Sequence, residues 1–210
     1  MNIAIIGTGN MARGLAARFA DAGHVVTLAG RNPSDAAEIA RGLGSGISSA
    51  PIADAARNAQ VVILAVPYGA TGEVIDAGGG FSGKIVVNIT NPMTADFSGL
   101  SIGHTTSAAE EIQKRAPDAK VVKAFNTIFA EVLRNGGRAA GRPATVFVAS
   151  DDADARATVA KLAESAGFET LETGALATAR YLEPAAALNI TLGYGLGLGT
   201  DIAPTWQRAA

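Results

Sequence analysis

The sequence predicts an α/β protein: a doubly wound, mainly parallel sheet with helices on both faces and a helical C-terminal segment. Two observations carry this. Short runs rich in valine and isoleucine alternate with alanine-rich stretches of helical period, as in successive βαβ units. The runs are also apolar almost without interruption, as strands covered on both faces require. A chain of 210 residues suits one domain spanning 1–210, with a core over about 1–175 and a helical segment over about 176–210.

The strands expected in order are Asn2–Ile6, Val25–Ala29, Gly46–Ser48, Val61–Val66, Lys84–Ile89, Lys120–Phe125, Thr145–Ala149 and Phe168–Glu172. The first helix sets Leu15 and Phe19 on one face with Ala12, Ala16 and Ala20 beside them, and Gly23 ends it in a left-handed cap. A second helix begins near Pro33. Ser107 and Glu110 form a capping box for a helix over Ala108–Arg115, which Pro117 terminates. Ser150 or Asp151 opens a helix over Ala153–Ser165 that stops at Gly167. Gly78-Gly79-Gly80, Gly136-Gly137 and Gly141 mark loops.

Composition narrows the function classes. Net charge is −2, without a basic run, so no nucleic-acid partner is expected. The chain has no cysteine and two separated histidines, which excludes disulfides and thiolate chemistry and leads us to expect no metal. The start MNIAIIGTGN lacks a basic leader, so a cytoplasmic location is expected. The apolar stretch Pro184–Gly199 is shorter than a bilayer span and carries Asn189 and Thr191, so no membrane partner is expected. Charged residues make up 17% of the chain, below the usual share, which suggests a surface covered by a second copy: a homodimer or higher homo-oligomer.

Gly7-Thr8-Gly9-Asn10-Met11-Ala12 stands between the first strand and the first helix and reads as a dinucleotide-binding turn of the Rossmann type. Gly7 permits the tight turn, Gly9 keeps a Cβ out of the path of a pyrophosphate, and Ala12 allows close helix packing. The helix N-terminus then offers N–H groups to phosphate. About 20 residues further on, where a carboxylate would accept from the adenosine ribose, the chain has Gly30-Arg31-Asn32. The Arg31 guanidinium can hold a 2′-phosphate bidentately, with Thr8 and Asn32 as neutral donors, which points to NADP(H) rather than NAD(H). The alternative is a solvated Arg31 with Asp35 acting from another direction.

The blocks IGTGNMARGLA, GRNP, LAVPYGA, KIVVNITNP, KVVKAFN and ETGALATARYLEP, in that order, resemble the NADPH-dependent reductases of the deazaflavin coenzyme factor 420. They are also similar to the cytosolic oxidoreductase domain of the six-transmembrane metalloreductases, and the likeness runs to about residue 185. The resemblance implies NADPH on a Rossmann domain and hydride transfer to a flavin or deazaflavin, the small-molecule electron acceptor, lying against the nicotinamide. It implies that Thr8, Gly9, Asn10 and Met11 hold the pyrophosphate and that Arg31 takes the 2′-phosphate. Beside it Gly30 replaces a common serine, and Asp35 stands near a position where the deazaflavin reductases have lysine. Val66, Pro67 and Tyr68 would border the ribose and nicotinamide, Asn91 and Pro92 the same crevice, and Phe125, Asn126 and Thr127 the nicotinamide.

Hydride transfer between two cofactors is a matter of positioning and water exclusion, so no catalytic acid is nominated. A carbonyl or imine reductase would instead need one, with Tyr68, Tyr181 or Lys123 as candidates. A non-enzymatic NADP(H)-sensing module is the alternative of another class. Bland roles are open for several residues: Phe125 in the core, Lys123 at a strand edge, His24 and His104 at the surface, and Tyr181 and Tyr194 packing the C-terminal segment.

Overall fold

The computed structural model describes residues 1–206. The chain opens with β1 (Asn2–Ile6), α1 (Asn10–Asp21), β2 (Val25–Ala29), α2 (Pro33–Leu43), β3 (Ile47–Ser49), α3 (Ile52–Asn58) and β4 (Val61–Leu64). It continues with α4 (Thr71–Ala77), β5 (Ile85–Asn88), α5 (Ala108–Arg115), β6 (Lys120–Lys123) and α6 (Ala130–Arg134). A small hairpin, β7 (Arg138–Ala139) and β8 (Arg142–Pro143), leads to β9 (Thr145–Ala149), α7 (Ala153–Ser165), β10 (Glu169–Gly174) and α8 (Ala179–Ile190).

The main sheet has eight strands in the order β10-β9-β6-β5-β4-β1-β2-β3. β3 through β6 run parallel, whereas β9 meets β6 antiparallel and β10 runs parallel to β9. The order reverses between β1 and β4, and that reversal opens a crevice beyond the carboxyl ends of the central strands.

Strand register explains the unbroken hydrophobicity. Ile3, Ile5, Val61 and Ile63 enter the core on one face, whereas Ala4, Ile6, Val62 and Leu64 enter the core on the other. On the first face Phe125 sits between Phe19 and Phe168, edge to face, with ring centroids 5.9 and 5.7 Å away. Each such buried side chain contributes about 1.5–3 kcal/mol. The α1 helix lies close to α6, because a Cβ at Gly14 would come within 2.8 Å of Leu133.

Several expectations change in detail. The strands after Val61, Lys84 and Lys120 are shorter than predicted, since the chain leaves the sheet at Ala65, Ile89 and Ala124 to build the crevice. The α7 cap is Asp152, whose carboxylate accepts from Ala155 N at 2.8 Å. Ser150 instead donates to Val121 O at 2.7 Å, and Asp151 accepts from Leu176 N at 2.9 Å. Ser107 caps α5 as predicted, accepting from Glu110 N at 3.2 Å. The short helices α3, α4 and α6 and the hairpin were not predicted. The C-terminal helix ends earlier than predicted: one π turn covers Thr191–Gly195, and residues 196–206 are not helical. The predicted helical segment's last residues, 207–210, lie outside the described residues. No helix among the described residues is long and apolar enough to cross a membrane.

Candidate functional site

A cavity of about 690 Å³ lies at the carboxyl ends of the central strands. It joins Gly9, Asn10 and Met11 at the start of α1 with Val66 and Pro67 after β4, Asn91 after β5 and Asn126 after β6. Ala186, Asn189 and Ile190 of α8 and Tyr194 of the π turn close its far side.

The two glycines of the turn meet different surroundings. Gly7 has φ 143°, and a Cβ there would lie 2.2 Å from Ala65 O, so the backbones of β1 and β4 leave no room for a side chain. A Cβ at Gly9 would meet nothing within 4 Å among the described residues, and that open space adjoins the α1 N-terminus. Thr8 and Arg13 line a separate recess of about 450 Å³ with Asp35 and Glu38.

At the end of β2, Arg31 is exposed. Asn32 caps α2: its Oδ1 accepts from Ser34 N and Ser34 Oγ at 3.1 and 2.7 Å, and one N–H of its Nδ2 donates to Asp35 Oδ1 at 2.8 Å. A Cβ at Gly30 would lie 3.0 Å from Thr8 Cγ2, so the serine that the resemblance implies there is crowded by this chain's own Thr8.

The end of the crevice beyond β6 rests on a strained turn. Phe125 has φ 58° and is 1% exposed, a conformation that costs of order 1–3 kcal/mol in a non-glycine residue. The turn carries Asn126 and Thr127 to the cavity wall. Asn126 Nδ2 donates to Asn91 Oδ1 at 3.0 Å and to Leu182 O at 2.9 Å, while Asn91 Nδ2 donates to Asn126 O at 2.9 Å. Asn126 Oδ1 and Thr127 Oγ1 are buried without a hydrogen-bond partner among the described residues. An unpaired acceptor and an unpaired hydroxyl on consecutive residues of the cavity lining suit a carboxamide, which offers N–H to one and C=O to the other.

Two predicted residues stand apart. Tyr68 lines a neighbouring recess with Glu111, Lys114 and Arg115, where burial and then the carboxylates of Glu111 and Glu183 raise its pKa. Pro92 is buried beneath the loop that follows β5, its carbonyl accepting from Ser101 N at 2.7 Å and Ser101 Oγ at 2.9 Å.

Lys123 is the largest departure from expectation. It is not an exposed charge but is fully buried at the carboxyl end of β6, an interior strand. Its Nζ donates to Asn88 Oδ1 at 2.7 Å, Thr90 O at 2.5 Å and Glu183 Oε1 at 2.8 Å. Glu183, 1% exposed, also accepts from Ala108 N and Ala109 N at 2.9 and 3.3 Å, at the start of α5. Burial lowers the Lys123 pKa, against the pull of the Glu183 carboxylate. The pair bolts α8 to the ends of β5 and β6. Glu183 was not singled out in the sequence, where nothing separates it from a helix-surface glutamate.

Of the candidate acids, Tyr181 is 75% exposed, and neither it, Tyr68 nor Lys123 lines the cavity. Tyr194 is the one titratable side chain on the cavity wall among the described residues. His24 bridges the N-terminal amine and Ser165 Oγ, away from the crevice.

Comparison with known proteins places this geometry. The family model described as NADP oxidoreductase, coenzyme F420-dependent, matches residues 2–92. The F420-dependent NADP reductase of Methanothermobacter thermautotrophicus is 33% identical over 211 residues, covering 91% of this chain and 89% of that protein. A crystal structure from Arthrobacter sp. FB24, provisionally named an F420-dependent NADP reductase, superposes with a TM-score of 0.86 at 34% identity, covering 95% of this chain and 96% of that one. Metalloreductase STEAP3 of Rattus norvegicus is 32% identical over 182 residues, covering 86% of this chain and 35% of that protein. This chain thus spans about a third of the length of the metalloreductases it matches.

Proposed function

Because this chain belongs to the family of F420-dependent NADP reductases, we propose that it is an NADP(H)-dependent oxidoreductase that moves hydride between NADPH and a flavin or deazaflavin. The observation that carries the finer reading is the cavity wall. Apart from Tyr194 its residues are apolar or neutral, from Gly9 and Met11 to Thr90, Asn126 and Ile190. Reduction of a small carbonyl or imine calls for a placed acid, whereas a second redox cofactor supplies its own reactivity and asks the protein for alignment and dryness.

In this reading Gly7 sets the turn, and the amides of Thr8, Gly9, Asn10 and Met11 receive the pyrophosphate at the α1 N-terminus. Arg31, flanked by Gly30 and Asn32, takes the 2′-phosphate. Val66 and Pro67 flank the ribose, whereas Tyr68 faces the neighbouring recess. Asn126 and Thr127 hold the carboxamide with their unpaired Oδ1 and Oγ1. Asn91 fixes Asn126 through their reciprocal bonds, and Pro92 anchors the loop that follows. A dihydronicotinamide held there would supply hydride to the acceptor, with solvent as the source of the accompanying proton.

The deciding experiment follows NADPH oxidation at its absorbance band with FMN, FAD, the deazaflavin coenzyme, and small carbonyls and imines. Turnover with the ring acceptors supports the proposal. Turnover with carbonyls or imines alone, abolished by Tyr194→Phe, refutes it, and tight NADPH binding without turnover supports the sensing module instead.

A further inference from the structure

Phe97 combines two costly features at the cavity wall. It is 67% exposed at the cavity wall, and its backbone is left-handed, with φ 57°. An exposed apolar ring gains nothing from solvent, and a residue with a Cβ enters the left-handed region only when its surroundings force it there.

The surroundings here are built for that purpose. Asp96 Oδ1 accepts from Thr94 Oγ1 at 2.6 Å, Ser98 Oγ at 2.8 Å and Ser98 N at 3.1 Å. Phe97 N donates to Thr94 O at 3.0 Å, and Thr94 N to Gly99 O at 2.8 Å. The hydroxyls of Thr94 and Ser98 hold the Asp96 carboxyl down to about 2, so the brace is intact at neutral pH. A rigid turn therefore presents an aromatic ring into the mouth of an apolar cavity. Elsewhere in the cavity lining Tyr194 meets Phe129 edge to face, ring centroids 5.5 Å apart.

We infer that Phe97 is a stacking face for the ring of the electron acceptor and sets the enzyme's preference for planar polycyclic acceptors. This rests on the proposed reading of the cavity. The dinucleotide has its own anchors in the open Gly9 turn, Arg31 and the Asn126–Thr127 pair, whereas an exchanging acceptor needs a face at the solvent side. Aromatic faces suit such a ligand, because stacking is tolerant of substituents and strongest for flat rings.

The test compares wild type with Phe97→Asn and Phe97→Tyr in NADPH-saturated turnover of FMN, riboflavin and the deazaflavin, alongside NADPH titration, thermal melting and light scattering. Asparagine accepts the left-handed backbone, so Phe97→Asn raises Tm by about 2–4 °C while raising the KM for ring acceptors about five- to tenfold. NADPH affinity stays within about twofold, and Phe97→Tyr, which restores a ring, recovers most of the lost acceptor affinity. The inference is overturned by an acceptor KM that does not move, by a Tm that falls, by a parallel loss of NADPH affinity, or by a wild-type dimer that Phe97→Asn splits into monomers. Wild-type turnover of flavins with no dependence on Phe97 removes this inference and leaves the proposed function standing; no wild-type turnover of any ring acceptor removes both.

Discussion

Lys123→Met tests whether the buried ion pair is structural in the way its geometry implies. Methionine fills nearly the same volume but leaves the Glu183 carboxylate, 1% exposed, with only the Ala108 and Ala109 amides at 2.9 and 3.3 Å. Asn88 Oδ1 and Thr90 O lose their donor as well. Breaking a buried pair on one side costs about 3–5 kcal/mol, and the extra orphaned acceptors put this site at the upper end. For a chain of this length that lowers Tm by about 10 °C or more. Lys123→Met/Glu183→Gln removes the uncompensated charge and keeps an oxygen for the α5 amides, so it recovers at least half of the loss. Urea unfolding followed by circular dichroism measures both. A single variant that loses less than about 1 kcal/mol, or a double variant less stable than the single, would show that the pair is not the bolt described above.

The remaining expectations concern the cofactor turn and the acid limb of stability. Gly7→Ala places a Cβ 2.2 Å from Ala65 O at φ 143° and destabilises by about 3 kcal/mol or more, measured by urea unfolding. Gly9→Val enters open space, keeps stability within about 1 kcal/mol and abolishes dinucleotide binding; retained binding in a titration would contradict the placement of the pyrophosphate. Arg31→Ala weakens NADPH about 10- to 100-fold, the worth of charged hydrogen bonds, and leaves NADH unchanged in paired titrations. Burial pushes the Glu110 carboxyl up, but the guanidinium of Arg180 and the Ser107 hydroxyl outweigh it and hold the pKa below its ordinary value. Its stabilisation is present above that ordinary value, 4.5, and is lost as pH falls through the lower folded value. Glu110→Gln is therefore less stable than wild type at neutral pH, with a gap that closes in acid.

What the linear chain determined by itself is local and periodic. Alternation of apolar runs with alanine-rich helices specifies βαβ units, and from Ile3 to Ile6 of β1 and throughout β4 every residue has a core to enter, so the pattern needs no partner to be read. Gly7 and Gly9 announce a tight strand-to-helix turn because its constraints fall on neighbouring residues, and Ser107 announces a cap for the same reason. Tertiary structure alone decided the rest. Asn91 and Asn126 pair across two strands, and Lys123 finds Glu183 sixty positions along the chain. Asn32 is tied into the α2 cap by Ser34 and Asp35, and Thr8 crowds Gly30 from another strand end. A buried charge and an exposed one are the same letter in a sequence. Only the fold supplies the desolvation that makes Lys123 demand its partners and the exposure that leaves Phe97 without one.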